Sequence, residues 1–178
     1  VKPDCVIENI TLPCLYEAPL MLEQSNFSSV VCRELGLDHR TATMDTLKSP
    51  EYRDRVSRME FITTTDGNHG RGISWAAGML GCRAHVFMPR GSVEVRAQAI
   101  REVGNADVTI TDLTYDDAVR YSAKLAEENG WFLVQDTAWP GYEDVPTWIV
   151  QGYTTMLFEA LDQLRDKGYD RPSHVFLQ

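Results

Sequence analysis

Phe61-Ile62-Thr63-Thr64-Thr65-Asp66-Gly67-Asn68-His69-Gly70-Arg71-Gly72-Ile73-Ser74-Trp75-Ala76-Ala77-Gly78-Met79-Leu80 is the stretch on which the fold turns. Its first four residues are aromatic or β-branched and read as a strand. Thr65 to Gly70 is a polar, glycine-containing turn, and Arg71 to Leu80 follows as a helix stopped by Gly81. Strand, short turn and helix in immediate succession make the first half of a βαβ unit. The chain then repeats the pattern.

Ala84 to Met88 is a second strand, halted by Pro89 and Gly91. Ser92 is placed to cap a helix over Glu94 to Val103, with Val95, Ala99 and Val103 on one face and Gly104 at its end. Asp107 to Ile110 is a third strand. Thr114 then caps a long helix in which Ala118, Tyr121, Leu125 and Glu128 keep helical spacing up to Asn129-Gly130. Phe132 to Val134 is a fourth strand. Pro146 opens a helix reaching about Lys167, and His174 to Leu177 reads as a last strand. Upstream, Asn26 to Leu35 reads as a helix closed by Gly36, Leu37 to Pro50 as polar connection, and Glu51 to Arg58 as a short charged helix. Residues 1–25 differ in character, because Pro3, Pro13 and Pro19 break every period.

Alternating strands and helices with short loops imply an α/β fold: a parallel sheet in three layers, with flanking helices joined by right-handed crossovers. Sites in such sheets lie beyond the carboxyl ends of the strands.

Composition bounds the function. The 178 residues are 43% hydrophobic and 24% charged, enough to bury a core, and the net charge is −9. That acidity argues against nucleic-acid or anionic-membrane partners, which call for basic patches. No apolar run approaches the roughly 18 residues of a membrane span. Val1-Lys2-Pro3-Asp4-Cys5-Val6 does not open a signal peptide. Cys5, Cys14, Cys32 and Cys82 are widely spaced, with no Cys-x-x-Cys, so reduced thiols in a cytoplasmic protein are expected rather than a metal or disulfide framework.

Two strand-to-helix loops stand out. Thr63 to Gly72 joins Gly67, Gly70 and Gly72 with Asp66, Asn68 and His69, groups suited to acid–base work and hydrogen bonding. The same residues also suit a capped turn, but so many glycines and polar groups together favour function. Gln135-Asp136-Thr137-Ala138-Trp139-Pro140-Gly141-Tyr142 follows the fourth strand, and it suits a small polar pocket as well as it suits a surface loop. His85, inside a strand, reads as a half-buried structural residue. His39 and His174 are isolated, and Asp116-Asp117 suits the first turn of a helix. The sequence holds no Gly-x-Gly-x-x-Gly after a strand, and no phosphate-loop, zinc-protease or serine-hydrolase motif.

Thr65-Asp66-Gly67-Asn68-His69-Gly70-Arg71-Gly72 is similar to the asparagine loop of pyridoxal-phosphate (PLP) enzymes with the tryptophan-synthase β fold, also called fold type II. The Asp before the glycine, with Arg71 and Gly72 after it, resembles the diaminopropionate ammonia-lyases. So do Met88-Pro89-Arg90-Gly91-Ser92, Tyr115-Asp116-Asp117, Gln135-Asp136-Thr137-Ala138-Trp139 and Pro146-Thr147-Trp148-Ile149-Val150-Gln151-Gly152-Tyr153. The resemblance covers roughly 26–178, with 60–135 as a smaller four-stranded subdomain and 145–178 as the start of a larger one.

It implies β-elimination from 2,3-diaminopropionate to pyruvate and ammonia, with PLP as electron sink. Asn68 would hydrogen-bond the cofactor's phenolic oxygen, flanked by Gly67 and His69. Asp66 would act as a base at Cα or bind an ammonium group. Asp136 would hold the substrate amine, and Thr65 and Tyr142 would line the substrate. No metal is implied, and a homodimer is allowed.

The match departs from the family at two points. A Schiff-base lysine belongs in an Ala/Ser-Phe-Lys segment before the helix at Asn26, but Leu20 to Ser29 has none, and Lys2, Lys48, Lys124 and Lys167 fit no part of that motif. The glycine-rich phosphate loop would follow Gln178. The expectation is therefore a polypeptide inactive by itself. A threonine dehydratase-like lyase and a non-catalytic α/β binding module are the alternatives.

Overall fold

The computed structural model describes residues 26–175. Within them the order is α1 (Asn26–Leu35), α2 (Met44–Lys48), α3 (Arg53–Val56), β1 (Glu60–Thr64), α4 (Asn68–Leu80), β2 (Arg83–Met88), α5 (Glu94–Val103), β3 (Ala106–Ile110), α6 (Tyr115–Asn129), β4 (Phe132–Leu133) and α7 (Asp144–Asp166). The four strands form one parallel sheet in the order β3-β2-β1-β4, as the α/β reading expects.

That order has a functional consequence. The chain steps outward from β1 to β2 to β3, then returns past β1 to lay β4 on its other side. Right-handed crossovers in opposite directions must put their helices on opposite faces. The contacts agree. Ile100 of α5 shares a cluster with Val86, Met88 and Val108 on one face, while Phe87 on the other face meets Tyr121 of α6 edge to face at 5.4 Å. The winding reverses between β1 and β4, and a crevice opens at the carboxyl ends of strands at such a reversal.

The apolar face carries most of the core. Phe27 of α1 lies 4.1 Å from Phe61 of β1, and Phe61 lies 5.5 Å from Phe132 of β4, ring centre to ring centre. Val145 and Ile149 of α7 join the same cluster. On the far side of α7, Val150, Leu157 and Phe158 are exposed. The α6 face is built differently. Ala118, Ser122 and Ala126 are its buried positions, small enough to bring the helix close, and Ser122 Oγ meets Thr64 Oγ1 at 2.8 Å.

Several local expectations change. Helix α4 starts at Asn68, inside the turn, because Thr65 Oγ1 accepts the N–H groups of Gly67 and Gly70 and so closes the helix start early. Of the turn's glycines only Gly70 is hemmed in: a Cβ there would stand 2.5 Å from Thr65 Cγ2, whereas Gly67 and Gly72 face open space. Ser92 does not cap α5. The capping position falls on Val93, and the Ser92 hydroxyl is buried without a partner. The buried positions of α5 are Ala97 and Ile100, with Val95 exposed, since the face that meets the sheet is one residue out of phase with the apolar spacing.

Thr114 caps α6 as expected, accepting Asp117 N–H at 3.2 Å, but Tyr121 lies on a partly exposed flank. A short helix, α2, interrupts the supposed connection, closed by reciprocal bonds between Thr43 and Thr46. His174 and Val175 are not in a strand; Phe176 and Leu177 lie outside the described residues. Residues 1–25, with Cys5 and Cys14, also lie outside them. Cys32 and Cys82 are buried thiols; Cys82 donates to Val56 O at 3.1 Å, and burial pushes its pKa up to about 12. His85 stacks on Trp131 at 3.8 Å and meets Glu60 at 2.7 Å. No helix among the described residues is long and apolar enough to cross a membrane.

Candidate active site

A cleft of about 650 Å³ lies at the reversal point, lined by Thr65, Asp66, Gly67, Asn68, His69 and Arg71 from the β1 side, Val95, Arg96 and Ala99 from α5, Tyr115 from α6, Asp136 from the loop after β4, and Tyr153 from α7. Asp66 and Asp136, far apart in the chain, thus face one space. Among the described residues no group of three or more His, Cys, Asp or Glu could hold a metal.

On the β1 side, the turn is held from both ends. Thr65 Oγ1 gathers the two N–H groups already described. His69 Nε2 lies 2.8 Å from Val134 O; a carbonyl only accepts, so Nε2 carries the hydrogen. That bond ties the first turn of α4 to the end of β4 across the crevice. Arg96 reaches from α5 to the Asp66 carbonyl at 3.1 Å and to its carboxylate at 3.4 Å. Asn68 is exposed at the mouth.

On the β4 side, the strand ends after Leu133 and a buried side chain continues its work. Gln135 Oε1 accepts Thr64 N–H at 2.9 Å, where the next strand carbonyl would otherwise serve. Gln135 Nε2 donates to Asp136 Oδ1 at 2.9 Å and to the Tyr115 hydroxyl at 3.1 Å. Tyr115 donates in turn to Asp136 Oδ1 at 3.3 Å. Burial first, and the Asp136 charge second, hold the Tyr115 phenol above its ordinary range. Desolvation first, then Asp136 and Tyr115, raise the Tyr153 phenol as well.

Tyr142 stands apart from the cleft. Its hydroxyl accepts Gln135 N–H at 2.8 Å and donates to Leu133 O at 3.0 Å, its ring stacks on Trp139 at 4.3 Å, and burial pushes its pKa up to about 12. It braces the loop that carries Asp136. The structure therefore brings together Thr65, Asp66, Gly67, Asn68, His69 and Asp136, and leaves Tyr142 behind them. Tyr115, Arg96 and Tyr153 line the cleft as well, beyond the expected site residues. Tyr115 had a signal: it opens the first turn of a helix that follows a strand's carboxyl end. Arg96 had none, since its reach depends on how α5 leans.

Residues 40–178 match the model of the pyridoxal-phosphate dependent enzyme family. The diaminopropionate ammonia-lyase of Salmonella typhimurium is 49% identical over 145 residues, covering 82% of this chain and 36% of that protein. The apo crystal structure of the Escherichia coli diaminopropionate ammonia-lyase superposes with a TM-score of 0.78 at 42% identity, over 93% of this chain and 44% of that one. A tomato threonine dehydratase is more distant, 30% identical over 105 residues, 59% of this chain and 16% of that protein. The chain thus spans a little over a third of the Salmonella relative's length.

Proposed function

The chain belongs to the pyridoxal-phosphate dependent enzyme family, and from that premise we propose that it carries the substrate-facing part of a lyase that eliminates ammonia from 2,3-diaminopropionate. The observation that carries the reading is the shared cleft of Asp66 and Asp136. A diamino acid brings two ammonium groups, and two carboxylates at one crevice complement it as a single acid would not. Residues 60–135 form the smaller subdomain in this reading and 145–178 the start of the larger.

The described residues fit one side of a PLP site. The cleft lies at the N-terminal end of α4, whose field favours anionic oxygens, and Asn68 stands there with a side-chain amide for the cofactor's phenolic oxygen. They do not fit its covalent anchor. Lys48, Lys124 and Lys167 are the lysines among the described residues, and none lines the cleft. When bound, PLP supplies an electron sink for charge left at the substrate's Cα.

The chain's own residues do the rest. Asp66, at the mouth, takes the Cα proton or grips an ammonium group. Asp136 holds the second amine, its carboxylate already aimed by Gln135 and Tyr115. Thr65, Gly67 and His69 keep the β1 turn in shape around the ring and the substrate. Tyr142 serves the substrate by bracing Asp136's loop. The proposed setting is cytoplasmic, with a homodimer as the assembly.

The test is ammonia and pyruvate release by a PLP-loaded polypeptide of the relatives' full length that carries residues 26–178 of this chain. Diaminopropionate should be processed at least about a hundredfold more efficiently than threonine, as for a site whose polar groups go unpaired with the wrong substrate. Equal efficiency on threonine would move the assignment to the dehydratases. No turnover of either would leave an α/β binding module.

A further inference from the structure

Gln135 is wholly buried, yet every hydrogen-bonding position of its side chain is used. Oε1 accepts Thr64 N–H at 2.9 Å and the Thr63 hydroxyl at 3.4 Å. Since a backbone N–H faces that end, only the oxygen can stand there. The orientation of the amide is therefore dictated by β1. Both amide hydrogens must then point the other way, to Asp136 Oδ1 at 2.9 Å and to Tyr115 at 3.1 Å. Tyr115, having accepted one hydrogen, passes its own to Asp136 Oδ1 at 3.3 Å. Oδ1 is doubly engaged. Oδ2 has no hydrogen-bond partner among the described residues and belongs to a side chain that lines the cleft.

We infer that Gln135, assisted by Tyr115, is a positioning residue: it ties one oxygen of Asp136 to the end of β1 so that the other is presented to the second amine of a diamino substrate. The inference rests on the reading of Asp136 as the amine-holding carboxylate. It adds a physical source for selectivity. The direction of Asp136 is set by a chain that starts at a backbone N–H of the inner strand β1, so the acid does not have to be ordered by the substrate when it binds. A buried amide is an expensive way to fill this space, because each unmade bond would leave an unsolvated polar group. Its full satisfaction makes the geometry single-valued.

The experiment is a double-mutant cycle in the same PLP-loaded, full-length polypeptide, reading KM for 2,3-diaminopropionate and the inhibition constant of alanine, which lacks the second amine. Gln135→Glu keeps the shape and an acceptor for Thr64 N–H, but replaces two fixed amide donors with an acid that either sets a like charge against Asp136 or shares one proton with it. It should raise KM for diaminopropionate by about tenfold or more, as for loss of hydrogen bonds to a charged group, with the alanine constant moving less than about threefold. On an Asp136→Asn background the same change should add almost nothing. Tyr115→Phe should act in the same direction by about threefold, also only when Asp136 is present.

A residue that merely supports the fold would weaken both ligands alike and add its full effect to Asp136→Asn; that result overturns the inference. If Asp136→Asn itself fails to distinguish the two ligands, the reading of Asp136 has failed instead. Should Gln135→Glu not fold, the Tyr115→Phe cycle decides by the same criterion.

Discussion

The two loops that meet at the crevice hold their acids by opposite means. Asp66 sits at the mouth, its side chain 66% exposed and paired with an Arg96 that is 56% exposed. Asp136 is half-buried and held by neutral donors, one from the fully buried Gln135 and one from Tyr115. One acid is therefore held by charge in water and the other by hydrogen bonds out of it. A charge pair in water yields easily and is screened by salt. A buried, satisfied network keeps one geometry. This contrast suits the proposed division of labour, in which the exposed acid handles a proton and the hydrogen-bonded one recognises an amine.

The largest expected effect lies in the acids themselves. In the full-length setting, Asp66→Asn should lower kcat by about 10²–10⁴-fold, the range for losing a general base, whereas Asp136→Asn should act mainly through KM. Steady-state kinetics on diaminopropionate separate the two. If both substitutions changed KM alone, the division between proton handling and recognition would be lost.

Next come the backbones beneath the acids. Gly70→Ala drives a methyl toward Thr65 Cγ2, with Val86 Cγ1 at 3.0 Å and Ile100 Cδ1 at 3.3 Å behind it. Overpacking of this kind costs about 1–3 kcal/mol, less the gain in helix propensity. Gly72→Ala, two residues on and facing open space, should instead stabilise by about 0.5–1 kcal/mol. Urea melts of the pair measure the difference, and a shift of the same sign for both would contradict the close approach of α4 to β1 and β2.

The contrast between the loops also marks what could be read from the residues. The strand–turn–helix period is strong wherever apolar residues must face a sheet, and so β1 to β4 and α4 to α6 stand within a few residues of where their patterns place them. Phase was less legible. Val95 and Tyr121 keep helical spacing and are nonetheless exposed, because the small buried residues Ala97, Ala118, Ser122 and Ala126 select which face can approach. Asp66, Asn68 and Asp136 were legible as loop chemistry beyond strand ends. Gln135 carries no local mark of its role, since nothing in its neighbours says that an amide will stand in for a missing strand carbonyl. Tyr142 was readable as a phenol near the site, but not as one turned inward to Leu133 and Gln135.

Tyr142→Phe tests that inward turn. The ring and its stacking on Trp139 survive, but the buried Gln135 N–H loses its acceptor, at a cost of about 1–2 kcal/mol. The pH dependence adds a second sign. The Tyr142 pKa is raised to about 12 by burial from an ordinary value near 10. The native state thus holds this proton more tightly than the unfolded chain does. The corresponding stability is complete below about pH 10 and is lost as pH rises through about 12. Urea midpoints between pH 9 and 11 should fall more steeply for the parent chain than for the Phe variant. Parallel curves would mean that the phenol is not buried as described.

The smallest effect is expected where the geometry looks most ionic. Arg96→Met removes the partner of Asp66, but both side chains are more than half exposed, so the pair is worth less than about 1 kcal/mol and less still in salt. Tyr115→Phe removes a neutral donor from Asp136 and the acceptor of one buried Gln135 amide hydrogen, and should cost about 1–3 kcal/mol in urea at any ionic strength. Comparing the two variants at about 0.05 and 0.5 M sodium chloride puts the whole contrast into one measurement. The Arg96 difference should fade with salt while the Tyr115 difference persists. Were the Arg96 effect the larger and indifferent to salt, Asp66 would be held as rigidly as Asp136, and the mouth acid would no longer be the freer of the two.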